Sequence, residues 1–348
     1  MTLYIGVDFH PHQQTACWCD METGEIKTRT LFHNTDEIKQ FYQTMPPSTI
    51  GIEATSKATW FENLLFENQH KLLIGDPKLI RKRATSRHKS DNRDAANIFD
   101  LLIRDEFPTL WRRTPVSSAR LELMRLRHNL VKQRTQTYNR LQALAHAAGL
   151  PKGKIRTYLF QARLQRIELS EAFNLQRQML FEVVANLNQQ ISQLELWLQA
   201  QAAADAQVKL LLTQKGVGYL TALCLIDTIG DISRFTRPTK QVPAFVGLDP
   251  VEMSSGSKTK FGSISKAGSP LLRFLLGQAT QSVSRYDQKL KAKYKQLSKK
   301  KHKAVAKTAI ARKLLVKLTI MVRDKITADE FDLRGRTVDN ARKVKGLQ

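Results

Sequence analysis

The sequence predicts an α/β fold at its amino-terminal end followed by a mostly helical remainder, α/β + α in class. Short apolar runs alternate with helix-spaced runs over the first hundred residues. The middle of the chain has a helical pattern and is poor in glycine. A serine-proline pair then opens another apolar helix, SPLLRFLLGQATQSVS. With 348 residues the chain can build two or three cores, since domains commonly run to about 100–200 residues. The expected division is 1–112, 113–206 and 207–330, with 331–348 as a tail.

Taken in order, LYIGVDF reads as an apolar strand ending in an acid, with TACWCD and the run from Lys27 to Phe32 as its hairpin partners. TIGIEA and KLLIGDP are further apolar strands. Between them WFENLLFENQ carries Trp60, Leu64 and Leu65 at helical spacing, and KSDNRDAANIFDLL opens a second helix. Three strands, then strand, helix, strand, helix, make a mixed sheet flanked by helices.

Residues 117–148 form a long helix charged with Arg120, Arg125, Arg127, Lys132, Arg134 and Arg140. Pro151 and Gly153 break the chain. After the break, Leu180, Val184, Leu187, Ile191, Leu194 and Leu198 alternate steps of four and three, a coiled-coil seam of nearly three heptads. That seam closes either an intramolecular hairpin or a junction between protomers.

In TQKGVGYLTALCL, Gly216 and Gly218 flank one valine. The pattern is like a helix-hairpin-helix element whose turn amides meet a phosphate, because glycine permits close backbone approach. A plain turn between packed helices is the alternative. Ser269 and Pro270 make a good N-cap and first helical position for the run that follows.

Apolar residues at 42% and charged residues at 25% describe an ordinary globular protein. No apolar run approaches the roughly 20 residues of a spanning helix, and MTLYIGVDFH lacks a basic region before an apolar stretch. A cytoplasmic location is expected. Three cysteines do not make a disulfide framework, and Cys17 and Cys19 read as reduced core thiols on one strand face. His10 and His12 in HPH are metal-competent, but no cysteine or histidine group elsewhere completes a zinc-type set.

Charge is the dominant compositional fact, with 56 basic residues against 31 acidic ones leaving +25. Such a field draws polyanions. Residues 78–90 hold six Lys or Arg (Lys78, Arg81, Lys82, Arg83, Arg87, Lys89) and no acid. Residues 285–313 hold twelve against Asp287 alone. Both stretches suit a nucleic-acid backbone, the alternative for the second being a solvated basic segment.

Acids occur where this architecture exposes strand ends. Asp8 closes the first strand, Glu53 lies late in the fourth, and Asp91 and Asp94, three apart at a helix start, share a helix face. Four convergent carboxylates would suit two hard cations acting on a phosphodiester. As isolated residues, Asp91 and Asp94 read equally as an N-cap and a first-turn acid favoured by the helix dipole.

These residues, in YIGVDFH, GIEATS and KSDNRDA, resemble the acidic tetrad of the DEDD transposases of insertion sequences, a family that includes the Piv-type DNA invertases. The resemblance continues through GVGYLTALCLIDTIGDISRF, FVGLDP, SSGS and ISKAG in that order. It implies a RuvC-like amino-terminal domain of RNase H fold, a coiled-coil middle used in assembly, and a mostly helical carboxy-terminal domain. Two Mg²⁺ held by Asp8, Glu53, Asp91 and Asp94 would follow.

Aligned through FVGLDP and SSG, Ser255 matches the family's catalytic serine, flanked by Ser254 and Ser257 and followed by Lys258, Lys260 and Lys266. A serine alcohol needs activation by a base or a metal, and no histidine or acid follows at the spacing a hydrolase-type serine would want. The resemblance therefore implies a serine-linked DNA intermediate, target and donor DNA as partners, a structured noncoding guide RNA, and dimers joining into a tetramer. Two other readings fit the same residues. One is a RuvC-like endonuclease whose metals activate water. The other is a basic coiled-coil binding protein without chemistry.

Overall fold

The computed structural model describes residues 3–20, 23–55, 58–83, 90–151, 153–253 and 261–334. The chain divides into two units, residues 1–112 and 113–348.

The first unit is built from β1 (Leu3–Phe9), β2 (Gln13–Cys19), β3 (Ile26–Phe32), α1 (Glu37–Thr44), β4 (Ser48–Glu53), α2 (Thr59–Glu67), β5 (Lys71–Gly75), α3 (Pro77–Arg83) and α4 (Asp91–Ile103). The strands form one sheet in the order β3-β2-β1-β4-β5. The hairpins β1–β2 and β2–β3 are antiparallel, whereas β4 joins β1 and β5 in parallel. The mixed sheet matches the sequence expectation.

Side chains alternate across this sheet because a strand has a period of two. Leu3, Ile5, Val7, Ile50 and Ile52 pack with Ile38, Phe41 and Tyr42 of α1 and Phe61 and Leu65 of α2. The opposite face carries Tyr4 and Gly6 and meets Ala95, Ile98, Phe99 and Leu102 of α4. Burial on both faces explains why the inner strands read as continuous apolar runs. Two short helices escaped the sequence reading. One is α1, whose Ile38, Phe41 and Tyr42 have helical spacing. The other is α3, which takes up the first half of the basic run.

The second unit comprises α5 (Pro115–Ala147), α6 (Tyr158–Arg166), α7 (Glu171–Ala204), α8 (Ala206–Leu212), α9 (Tyr219–Ile229), α10 (Pro238–Val246), β6 (Pro250–Glu252), β7 (Phe261–Ile264), α11 (Pro270–Tyr286), α12 (Gln288–Lys300) and α13 (Lys303–Asp324). Thr114 caps α5 by accepting from the Ser117 amide at 3.1 Å, with Pro115 at the first helical position. α6 intervenes where the sequence marked only a break.

The seam of α7 meets α5 of the same chain. Val184 packs with Tyr138, Leu141 and Ala145, and Leu198 joins Leu121 and Met124. Of the two arrangements left open by the heptads, the described residues form the intramolecular hairpin. Arg120, Arg127 and Arg134, seven apart on α5, turn inward. They donate to Asp227 (3.0 Å), Glu195 (2.9 Å) and Asn188 (2.9 Å) respectively.

The base of the hairpin shares one core with the carboxy-terminal helices, including Leu211, Leu223, Val246, Leu272, Leu276, Leu314 and Leu318. Helical structure also runs through residues 328–334. Phe331 packs on that core, and Asp332 accepts from Lys317 at 2.9 Å. Residue 330, where the sequence division placed its last boundary, lies within this helical stretch. The three cysteines are free, and burial pushes Cys17 up to about 11 and Cys224 up to about 12. Among the described residues no helix is long and apolar enough to cross a membrane.

Candidate active site

Two glycines bring the acids together. Gly6 and Gly51 stand in register on β1 and β4. A Cβ on Gly6 would lie 2.3 Å from the Phe99 amide nitrogen and 2.4 Å from the Ala95 carbonyl oxygen. A Cβ on Gly51 would lie 2.9 Å from a Leu102 methyl. α4 therefore sits almost on the backbone of the central strands.

Two residues on, by the period of the strand, Asp8 and Glu53 emerge on that same face. On the helix, Asp91 and Asp94 continue the stripe of Ile98 and Leu102 at steps of three and four. The paired signals Gly6-Val7-Asp8 and Gly51-Ile52-Glu53 thus encode the seat and the acid together.

All four acids line one cleft with His10, Thr55, Arg81, Ser90 and Asn97. The His10 Nε2 lies 3.0 Å from Asp8 Oδ2 and 3.8 Å from Asp91 Oδ1. Gln13 donates to Asp91 Oδ2 at 3.2 Å. Arg81 Nη2 donates to Glu53 Oε1 at 3.3 Å. Burial pushes the Asp8 carboxyl above its ordinary value. His10 opposes the shift, and Asp94 and Asp91 add to it. Ser90 is the N-cap residue of α4 but makes no side-chain capping bond. Negative charges pressed together at a helix start are a donor set that fits a divalent cation.

His10 is the residue that the sequence reading missed. Its partners are not the cysteines and histidines of a zinc-type set but Asp8 and Asp91. The alternation of a strand end, which puts positions 8 and 10 on one side, was the available signal.

Lys78, Arg81, Lys82 and Arg83 are exposed on α3, the last three in its final turn. There they complement the helix dipole. Arg87 and Lys89 lie outside the described residues, as do Ser255, Lys258 and Lys260. The segment holding Ser255 is bracketed by the antiparallel pair β6 and β7.

That pair is fastened at its base. Ser265 Oγ donates to Asp249 Oδ1 at 2.6 Å, and the Lys266 amide donates to the Gly247 carbonyl at 3.1 Å. Gly247, at φ +76°, has the Ala267 nitrogen only 2.5 Å from where a Cβ would stand. Lys266 lines a small cleft with Arg273 and Lys307. Gly216, at φ +94°, is pressed against the α11 backbone at Val283. Gly218 is the N-cap of α9 and has open space around it.

Two family models match the chain. One, a transposase model of the DEDD IS110 type, covers residues 5–148. The other, described as the transposase IS116/IS110/IS902 family, covers residues 208–295. The chain is similar to the transposase for insertion sequence element IS1111A of Coxiella burnetii, 31% identical over 81% of this chain and 78% of that one. It is also similar to the transposase for insertion sequence element IS1328 of Yersinia enterocolitica, at 27% over 80% and 82%. A Pseudomonas aeruginosa protein named "Probable family 20 transposase" matches at 29% over 80% of each.

Proposed function

Because this chain belongs to the IS110 family of insertion-sequence transposases, enzymes that cleave and transfer DNA, we propose that it is a site-specific recombinase working through a serine-linked intermediate. Asp8, Glu53, Asp91 and Asp94 hold two Mg²⁺, and Ser255 is the nucleophile. The observation that carries this reading is the meeting of four carboxylates from β1, β4 and α4 in one cleft, next to the exposed cations of α3. The strand order, with two antiparallel hairpins feeding a parallel pair, supports a RuvC-like domain.

When bound, the cations supply charge neutralisation at the phosphate and at the attacking and leaving oxygens. Lys78, Arg81 and Lys82 hold the DNA phosphates. The Ser255 oxygen bonds to phosphorus as the bond to one sugar oxygen breaks. The serine gives up its proton, and the departing oxygen takes one up. The phosphodiester energy stays in the serine ester, so a second strand can reverse the step and rejoin. Lys266 and Lys307, which line one cleft, serve as further phosphate contacts, and Gly218 offers the open amide end of α9.

A structured noncoding RNA is the proposed source of sequence choice. Its support is the extent of cationic surface, since α12 adds Lys289, Lys291, Lys293, Lys295, Lys299 and Lys300 without one buried residue. Self-association into dimers and a tetramer is supported by Leu175, Met179 and Val183, exposed at steps of four on α7.

Incubation with labelled donor DNA and Mg²⁺, followed by a denaturing gel, tests the core of the proposal. A protein-linked strand that vanishes in Ser255→Ala is expected. Full cleavage by Ser255→Ala would reject the serine and leave a water-using nuclease. Binding with no strand breakage under any metal would leave a non-catalytic protein. Sequencing of copurifying nucleic acid tests the guide, one discrete RNA species being expected and a heterogeneous mixture speaking against it.

A further inference from the structure

We propose that His10 is a metal-contacting residue of this cleft, a nitrogen donor that biases it toward a transition dication such as Mn²⁺ over Mg²⁺. The inference rests on the reading that the carboxylates hold metal, and goes beyond it by adding a ligand of different chemistry. The donor atoms of Asp8, His10 and Asp91 all lie within 4.8 Å of one another. Around an octahedral ion with bonds near 2.1 Å, neighbouring donors stand about 3.0 Å apart and opposite ones about 4.2 Å. The observed separations, 3.0 Å from Nε2 to Asp8 and 3.8 Å to Asp91, fall in that span.

The surroundings fix these atoms rather than leaving them to chance. The His10 amide donates to the Gln13 carbonyl at 2.9 Å and closes the β1–β2 turn. The His33 amide clips the same turn from β3 by donating to the His12 carbonyl at 2.9 Å. Gln13 then uses its side chain to hold Asp91 Oδ2, leaving Oδ1 on the His10 side. A ligating carboxylate oriented by an outer hydrogen bond is the usual support of a metal site. Carboxylate and water oxygens serve Mg²⁺ and Mn²⁺ alike, whereas imidazole suits first-row transition ions, and Mn²⁺, although the weakest binder of that series, takes a nitrogen donor more readily than Mg²⁺ does. A neutral imidazole in this set therefore changes which ion the cleft prefers without adding negative charge.

The competing explanation is that His10 is a protonated counter-ion to Asp8 which any metal must displace. The two differ in sign. As a ligand, His10 strengthens Mn²⁺ binding. As a displaced cation, it weakens it.

The full-length, tag-free protein loaded with Mn²⁺ is examined by electron spin-echo spectroscopy for directly coordinated ¹⁴N, alongside calorimetric titration with Mn²⁺ and Mg²⁺. The ¹⁴N coupling is expected in the wild type and lost in His10→Gln. That variant should bind Mn²⁺ at least about tenfold more weakly, the loss that even outer partners of a ligand bring, with Mg²⁺ affinity nearly unchanged. Bound Mn²⁺ without ¹⁴N coupling, or tighter Mn²⁺ binding by His10→Gln, overturns the assignment of His10 alone. Mn²⁺ binding that is absent from the wild type, or unaffected by Asp8→Asn, overturns the carboxylate site itself and His10 with it. His10 is half exposed, and circular dichroism checks that the variant is folded.

Discussion

Arg81 shows how single residues in the cleft serve two masters. Its guanidinium holds Glu53 at 3.3 Å, yet its side chain is 68% exposed and stands at the end of a cationic helix. Exposed pairs of this kind contribute about 0.2–1 kcal/mol. Arg81→Ala is therefore expected to tighten Mn²⁺ binding by up to about fivefold, as read by calorimetry, while weakening DNA binding in filter assays. A matching loss of both would mean that Arg81 props the site open rather than competing for it. Replacing Asp91 or Asp94 by Asn is expected to abolish strand breakage and spare DNA binding, since each removes one anionic donor and leaves the basic surface intact. Unchanged turnover in both variants would remove them from the metal set. At this scale Asp8, Glu53, Asp91 and Asp94 were readable as residue types at telling positions. The partners of His10 were not, because Asp91 comes to it through folding across eighty residues of chain.

At the scale of elements, the contact of α4 with the central strands governs the site. A methyl on Gly6 collides with backbone, which cannot rotate away, whereas one on Gly51 meets side-chain methyls that can. Overpacking commonly costs about 1–3 kcal/mol. Gly6→Ala should fall at or above the top of that range and Gly51→Ala near its bottom, measured by urea denaturation, with Mn²⁺ affinity lost only in the first. Equal effects would mean that side-chain packing, not backbone approach, sets the spacing. In the second unit, Asp227 is fully buried and holds Arg120. Asp227→Ala leaves that charge only the Asp205 carboxylate, 3.9 Å away, and should fall toward the lower end of the range of about 3–5 kcal/mol for a broken buried pair, read by urea denaturation.

The same scale explains the uneven legibility of the chain. The inner strands declared themselves because burial on both faces makes unbroken apolar runs. Short helices such as α3 and α6 span too few turns to show a period, and the helical spacing in α1 extends over a single turn. The α7 heptads displayed a seam but not its occupant, since nothing local distinguishes a neighbouring helix from a second protomer. The arginines of α5 read in one dimension only as the charges of a helix, yet Arg120, Arg127 and Arg134 are engaged inside the unit.

For the whole molecule, net charge says little until the committed cations are set aside. Lys317 is enclosed between Asp287 and Asp332. Lys289, Lys293, Arg312 and Lys313, by contrast, rim a cleft between α12 and α13 with Leu290, Leu297 and Val316 in its lining. If these four meet a duplex backbone, replacing them by Gln lowers the salt slope of binding by about 3–4, with the melting temperature unchanged. An unaltered slope would assign DNA contact to other surfaces. The serine segment follows the same logic of scale. Its identity came from the order of motifs along the chain, and its described flanks, β6 and β7, are clamped by Ser265 with Asp249 and by Gly247.

The cross-ties of the long hairpin behave as a ruler. Moving seven residues along α5, from Arg127 to Arg134, moves the partner seven residues back along α7, from Glu195 to Asn188. Lengthening one arm alone would throw every later tie out of step. Tolerated length changes should therefore come as equal insertions in both arms, carrying the α6 end outward in increments of about 10 Å per heptad.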